Sequence, residues 1–265
     1  MKGQITMAKK SKVCLRSDRA KEFEKEFERL AYQHGAWKVW QDFIDLCAIS
    51  ISNVLDKREG VWKEREKFFL SVKDSYTDED YEVFVRLFAL VAKALNENPE
   101  QDFLGDLYMN LNFGDGWKGQ FFTPYHVSEM MARMMIGERT QNEINEKGYV
   151  SVNDPACGAG CMLIAFAQAY KAVTKASYHD SVLFVGQDID PVVAKMCYIS
   201  LVCLDVQDML LSAILSLNRL SVKELRQTAV REISGLHQCI SPTYGSCEGL
   251  IIIHHLRTEV IRNDI

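Results

Sequence analysis

Long apolar runs are missing from this chain. No window approaches the roughly 18 apolar residues that a membrane-spanning helix requires, and the basic start from Lys2 to Lys12 is not followed by a secretory hydrophobic segment. No membrane partner is expected, and the default location is cytoplasmic. Proline is scarce, with 5 residues in 265, and glycine contributes only 15, which excludes collagen-like, low-complexity and broadly disordered classes. Eight cysteines are too sparse for a disulfide scaffold, and several fall within apolar helical patterns, so they read as reduced thiols. Positive charge is not in excess either. A net charge of -5 gives no global attraction to nucleic acid, so any contact with DNA must come from a local basic surface or from another subunit. What remains is an ordinary globular composition, 48% hydrophobic, in a chain long enough for one large domain or a small one joined to a larger one.

Residues 1–11 read as a flexible basic tail, and residues 12–112 as a helical domain. Phe23, Phe27, Leu30 and Ala31 share one helical face, and Trp40, Phe43, Ile44, Cys47, Ile51 and Leu55 form a second stripe. Thr77 with Asp80 resembles a capping box that opens a third stripe through Tyr81, Phe84, Val85, Phe88, Val91 and Leu95, ended by Asn96 to Pro99. Aromatics at this spacing are core rather than a base-stacking platform, because an aromatic face turned to water is costly.

The stretch from Asn112 to Gly119 reads as a loop at a domain junction. Thr123 as N-cap and Pro124 in the first turn are expected to start an amphipathic helix whose Val127, Met130, Met131 and Met134 pack inward. From Tyr149 the period changes. Tyr149 to Asn153 reads as a strand, Cys161 to about Ala176 as a helix and Val182 to Gln187 as a second buried strand, and Pro191 starts a further helix bearing Val193, Met196, Cys197 and Leu201. The expected fold class is therefore α/β, with residues 113–204 forming the start of a parallel sheet.

Asp154-Pro-Ala-Cys-Gly-Ala-Gly160 lies between the first strand and its helix, at the carboxyl edge where open α/β sheets bind ligands. Glycines there let the backbone approach a bound molecule, and the following helix offers free N–H groups and a positive dipole end suited to a carboxylate. A dinucleotide fingerprint needs a third glycine further into the helix, where Met162 and Leu163 stand, so a ligand without pyrophosphate fits better. Asp188 ends the second strand, as an acceptor for ribose hydroxyls or, on the plainer reading, as a turn residue before Pro191. Cys157 and Cys161 have no paired His or further Cys nearby, so no metal is expected.

Three ordered segments resemble the N6-adenine DNA methyltransferases of the type I restriction-modification M-subunit kind: Gly119-Gln-Phe-Phe-Thr-Pro124, Asp154-Pro-Ala-Cys-Gly-Ala-Gly160 and Gly186-Gln-Asp-Ile-Asp-Pro191. The resemblance covers residues 117 to about 203 closely and the helical part more loosely. It implies a partial Rossmann-like methyltransferase domain that uses S-adenosylmethionine, with DNA and a separate specificity subunit as partners. It also implies a cofactor site made of Gln120, Phe121, Phe122, Thr123 and Pro124, of Asp154, Pro155, Ala156, Gly158, Ala159 and Gly160 at the methionine end, and of Asp188 at the ribose. The family often has Gly-Gly after the Ser or Thr of its loop. Here Cys161 follows Gly160, which crowds the helix start.

Members of this family flip the target adenine from the duplex and hold its amino group with an Asn-Pro-Pro-Tyr or Asn-Pro-Pro-Phe segment, because that nitrogen is a weak nucleophile that must be positioned. These residues contain no such segment; Ser241-Pro-Thr-Tyr244 is the nearest approach. The catalytic residue is thus unassigned, and three readings stay open: a site-specific DNA adenine methyltransferase, for which Gly119 to Pro124 argues, a non-catalytic remnant that binds S-adenosylmethionine or a partner subunit, and a methyltransferase acting on RNA, protein or a small molecule. Beyond about Cys203 the resemblance is lost, and residues 205–265 read as an atypical tail, out of frame or poorly ordered. Their Cys and His residues, His237, Cys239, Cys247 and His254, read as chance rather than a metal site. A one-nucleotide change of frame accounts for the loss: codons for Asp205 to Ile214 exist for which the neighbouring frame reads Gly-Cys-Ala-Gly-Tyr-Val-Val-Val-Gly-Asn, which looks like the family's next strand. Sequencing the gene checks this. The expected outcome is a neighbouring frame that stays open past residue 204, and stop codons crowding it immediately would end the idea.

Overall fold

The computed structural model describes residues 17–55, 59–114, 120–178 and 181–204. The expected tail, the segment from Asp205 to Ile214 and Ser241-Pro-Thr-Tyr244 lie outside these residues, as does Gly119. Among the described residues the chain is mostly helical, with one small parallel sheet. Helices α1 (Asp18–His34), α2 (Ala36–Leu55), α3 (Glu59–Lys73), α4 (Asp78–Glu97) and α5 (Phe103–Asn110) come first. They are followed by α6 (Tyr125–Met135), α7 (Glu138–Lys147), β1 (Val150–Asp154), α8 (Cys161–Thr174), β2 (Val182–Gly186) and α9 (Pro191–Cys203). Strands β1 and β2 pair in parallel, from Val150 opposite Val182 to Asp154 opposite Gly186.

The aromatic stripes are core, as their spacing predicts. Phe23, Phe27, Trp40, Phe43 and Tyr108 are fully buried, and Phe23 meets Trp40, Phe43 and Phe103 edge to face. Ser17 caps α1 through Ala20 N at 3.2 Å. Thr77 caps α4 through Asp80 N at 3.1 Å, but the return half of the expected box is replaced: the Asp80 carboxylate meets His34 Nε2 at 3.3 Å. The stripe on α4 is also rotated from the predicted one. Val83, Leu87, Leu90 and Ala94 join Phe84, Val91 and Leu95 inside, whereas Val85 is exposed.

Three helices escaped the sequence reading for a shared reason. Only Val72 of α3 and only Thr140 of α7 are buried, so neither carries a full apolar stripe, and eight-residue α5 is too short to display a period. Two expectations for α6 are corrected. Its cap position is Pro124, with no side-chain cap, because Pro124 itself remains extended at ψ 140° and the helix begins one residue later than expected. Its methionines do not pack inward. Met130, Met131 and Met134 are exposed, and the small residues Ser128 and Ala132 form the buried face against α8, since only they allow that close approach.

Helix α9 is buried nearly all round because it lies among α2, α4, α5 and α8. It ties the first helices to the sheet: one continuous core runs from Ala20 to Leu204, and Lys195 Nζ on α9 meets Asp45 Oδ1 on α2 at 2.5 Å in a largely buried ion pair. The start of α8 is held against α9 by Gly160, whose φ of +97° suits glycine alone. A Cβ there would lie 2.8 Å from Cys197 Sγ. Asp102 caps α5 through Gly105 N at 2.9 Å while almost wholly buried, and that burial pushes its carboxyl up to about 7 from the ordinary 3.8.

Two outcomes are expected. Gly160→Ala combines a left-handed backbone with overpacking against Cys197 and lowers the unfolding free energy in urea by about 2 to 4 kcal/mol. Asp102 binds its proton more tightly folded than unfolded, so its contribution is fully present below the unfolded value and is lost as pH rises through about 7. Asp102→Asn keeps a capping oxygen without the buried charge. Its stability relative to the parent therefore improves between about pH 4 and about pH 8, as read from denaturant midpoints across that range.

Candidate active site

Strand β1 ends at Asp154, and the chain then turns through the glycine loop into α8. The strand pairing continues one step into the turn: Gln187 N donates to Asp154 O at 2.9 Å, and Cys157 N donates to Gln187 O at 2.8 Å. Asp154 Oδ1 accepts from Ala156 N at 3.0 Å, and partial burial holds this carboxyl above its ordinary range. Gly160 N closes a turn on Cys157 O at 2.8 Å. Gly160 then begins α8 without any side-chain cap, and among the described residues no side chain is bonded to the first-turn N–H groups of that helix. Cys157, Cys161 and Cys197 are buried thiols in this packing, and burial drives the Cys161 thiol up to about 12, which makes it inert rather than nucleophilic.

Asp188, just past β2, crosses to the loop. Its Oδ2 accepts from Gly158 N at 2.9 Å, and its Oδ1 accepts from Asp190 N at 2.9 Å. Asp188 thus makes the turn before Pro191 and stands as a half-buried carboxylate beside the glycine loop. Asp190 caps α9 through Val192 N at 2.9 Å.

The segment before α6 closes the other side. The Phe122 ring lies over Gly158 so closely that a Cβ there would come 3.0 Å from its Cε1, and Gly158 has a φ of +54°. Gln120 spans inward, donating from Nε2 to Asp190 Oδ2 at 3.3 Å and accepting from the Tyr108 hydroxyl at 2.9 Å. Phe121, Thr123, Pro124, Pro155 and Ala156 are exposed, whereas Gly158, Ala159 and Gly160 are buried. The structure thus brings Gln120, Phe122, Gly158 and Asp188 into one network, with Asp154 at its edge. Thr123 and Pro124 stand at the surface where α6 begins.

Four residues near this network were not singled out from sequence as site members. Tyr108 lies on short α5, which shows no helical period in the sequence. Asp190 carried a legible signal, as an acidic residue directly before Pro191. Ile189 lies inside a quoted motif but is 87% exposed, an isolated apolar side chain beside Asp188. Tyr125 follows Pro124 directly, and its hydroxyl is buried with no hydrogen-bond partner among the described residues.

The donors and acceptor of this arrangement suit a nucleoside-bearing ligand. Two loop glycines have backbone angles and neighbours that exclude a side chain, the helix end beyond them is uncapped, and a carboxylate stands at the adjacent strand end. Among the described residues no helix is long and apolar enough to cross a membrane.

No curated protein matches the chain. Among solved structures it is similar to a putative class I S-adenosylmethionine-dependent methyltransferase from Listeria monocytogenes, at 17% identity and a TM-score of 0.40 over 78% of this chain. The chain spans 56% of that protein's length. The family model described as N-6 DNA Methylase matches residues 100–227, reaching past the stretch 117–203 on both sides. All three motifs fall inside that match, and over residues 100–227 the chain is similar to the N-6 DNA methylases.

Proposed function

We propose that the crevice between the glycine loop and Asp188 binds S-adenosylmethionine, and that the chain serves transfer of its methyl group to the N6 amino group of adenine in DNA, in a restriction-modification system. The observation that carries this reading is the placement of a half-buried carboxylate, Asp188, directly on the backbone of a glycine loop that opens an uncapped helix. When bound, the cofactor supplies a methyl group already activated by its sulfonium. Asp188 keeps unused lone pairs for ribose hydroxyls even while bonded to Gly158 and Asp190. The first turn of α8 would take the carboxylate of the amino-acid end. Ile189 presents an apolar surface for the flat base. Phe122 walls the loop and excludes water from Gly158.

Binding and orientation are the tasks that residues 17–204 supply, and none of them is assigned a catalytic role. DNA and a separate specificity subunit are the proposed partners, and the cytoplasm is the proposed location. A second reading, a non-catalytic module that binds S-adenosylmethionine or a subunit, is favoured by the lack of an Asn-Pro-Pro-Tyr-like segment in these 265 residues.

Calorimetric titration with S-adenosylmethionine is expected to show saturable binding. Asp188→Ala removes charge-assisted hydrogen bonds and weakens that binding about tenfold or more. Methyl transfer to DNA by the purified chain supports the leading reading, and binding without transfer supports the second. No heat from S-adenosylmethionine, with saturation by an unrelated nucleotide instead, would sink the leading reading and the cofactor-binding form of the second.

A further inference from the structure

The network around Gly158 closes on itself, and its closing member comes from the first group of helices. The Tyr108 hydroxyl on α5 donates to Gln120 Oε1 at 2.9 Å, and Gln120 Nε2 donates to Asp190 Oδ2 at 3.3 Å. The Asp190 N–H donates to Asp188 Oδ1, and Asp188 Oδ2 accepts from Gly158 N, both at 2.9 Å. The circuit returns through rings: Phe122 lies over Gly158, and its centroid is 5.3 Å from that of Tyr108. Tyr108 is fully buried, so its hydroxyl is committed to this circuit rather than to water.

We infer that Tyr108 and Gln120 are positioning residues for the cofactor crevice: through Asp190 and Asp188 they hold the glycine loop at Gly158, so that helix α5 sets how tightly the nucleoside is held. The inference rests on the reading of this crevice as an S-adenosylmethionine site. Two features make Gln120 suited to the task. It joins a hydroxyl donor to a carboxylate acceptor, which needs a side chain that accepts at one end and donates at the other, and the uncharged amide does both. It also belongs to the segment that carries Phe122, so one short stretch delivers both the polar and the aromatic arm of the circuit. The Gln120 amide and the Gly158 and Val192 N–H groups all donate to this carboxylate pair, Asp188 and Asp190.

The test compares the full chain with Tyr108→Phe and Gln120→Glu. Tyr108→Phe keeps the ring against Phe122 and removes the hydroxyl alone. S-adenosylmethionine binding by calorimetry is expected to weaken about fivefold, the size of one neutral hydrogen bond, with the unfolding midpoint little changed. Hydrogen exchange of the Gly158 amide, followed by NMR without ligand, is expected to quicken. Gln120→Glu replaces the donor facing Asp190 by a carboxylate and is expected to weaken binding about tenfold. Relative to the parent measured at each pH, that loss recovers as pH falls toward about 5, where the new carboxyl protonates and can donate again. The groups facing it are Tyr108, Asp188 and Asp190, which the parent titration carries equally. If Tyr108→Phe does not fold, Gln120→Glu carries the test, since it leaves the aromatic arm in place. Unchanged binding in either variant overturns the inference, as does a loss that follows a lower unfolding midpoint while Gly158 exchange stays unchanged. If the parent itself does not bind S-adenosylmethionine, the functional reading fails, and Gly158 exchange in the two variants still decides whether they position the loop.

Discussion

The bond from Gly158 N to Asp188 Oδ2 is the contact on which the rest of the site depends. It spans from the loop after β1 to the turn after β2, and the parallel register that places Asp154 beside Gly186 is what makes it short. Gly158 can donate there because its φ is positive, and Asp188 can accept because it projects back from the turn that starts α9. Loop, strand end and helix start therefore constrain one another. A shift of either strand by one residue would turn each strand's side chains to the opposite face and move the carboxylate off the loop.

That local constraint is maintained by packing at a distance. Helix α9 starts at the site and continues between α2 and α8, where Asp45 meets Lys195 and the Ser52 hydroxyl lies 3.4 Å from the Tyr198 hydroxyl. Tyr108 approaches from the same side through α5. The first helices are thus packed behind the glycine loop, in one continuous core from Ala20 to Leu204. A rigid backing of this kind is what holds a binding loop to sub-ångström tolerance.

Much of the site was legible because its chemistry is local. Glycines between a strand and a helix, an acidic residue at the next strand end and Pro191 after it are all signals carried by a few adjacent residues, and each marks a real element boundary here. The helical stripes with large buried aromatics were legible for a related reason: Phe23, Phe27, Trp40 and Phe43 recur at the helical period. Signals failed where burial did not follow the period. Helices α3 and α7 bury one described residue each, and α6 turns Ser128 and Ala132 inward while its methionines face out, since small side chains let it approach α8.

The order of elements from β1 to α9 and the glycine loop with its acidic counterpart were readable from the amino-acid order alone, because backbone angles and short-range hydrogen bonds are set by neighbouring residues. Only the tertiary structure decided that Tyr108, Gln120, Asp190 and Asp188 form one circuit ending on Gly158, and that the first helices stand behind it. Those contacts join residues up to 70 positions apart, as for Gln120 and Asp190, and no local pattern encodes which distant partner a buried hydroxyl or amide will meet.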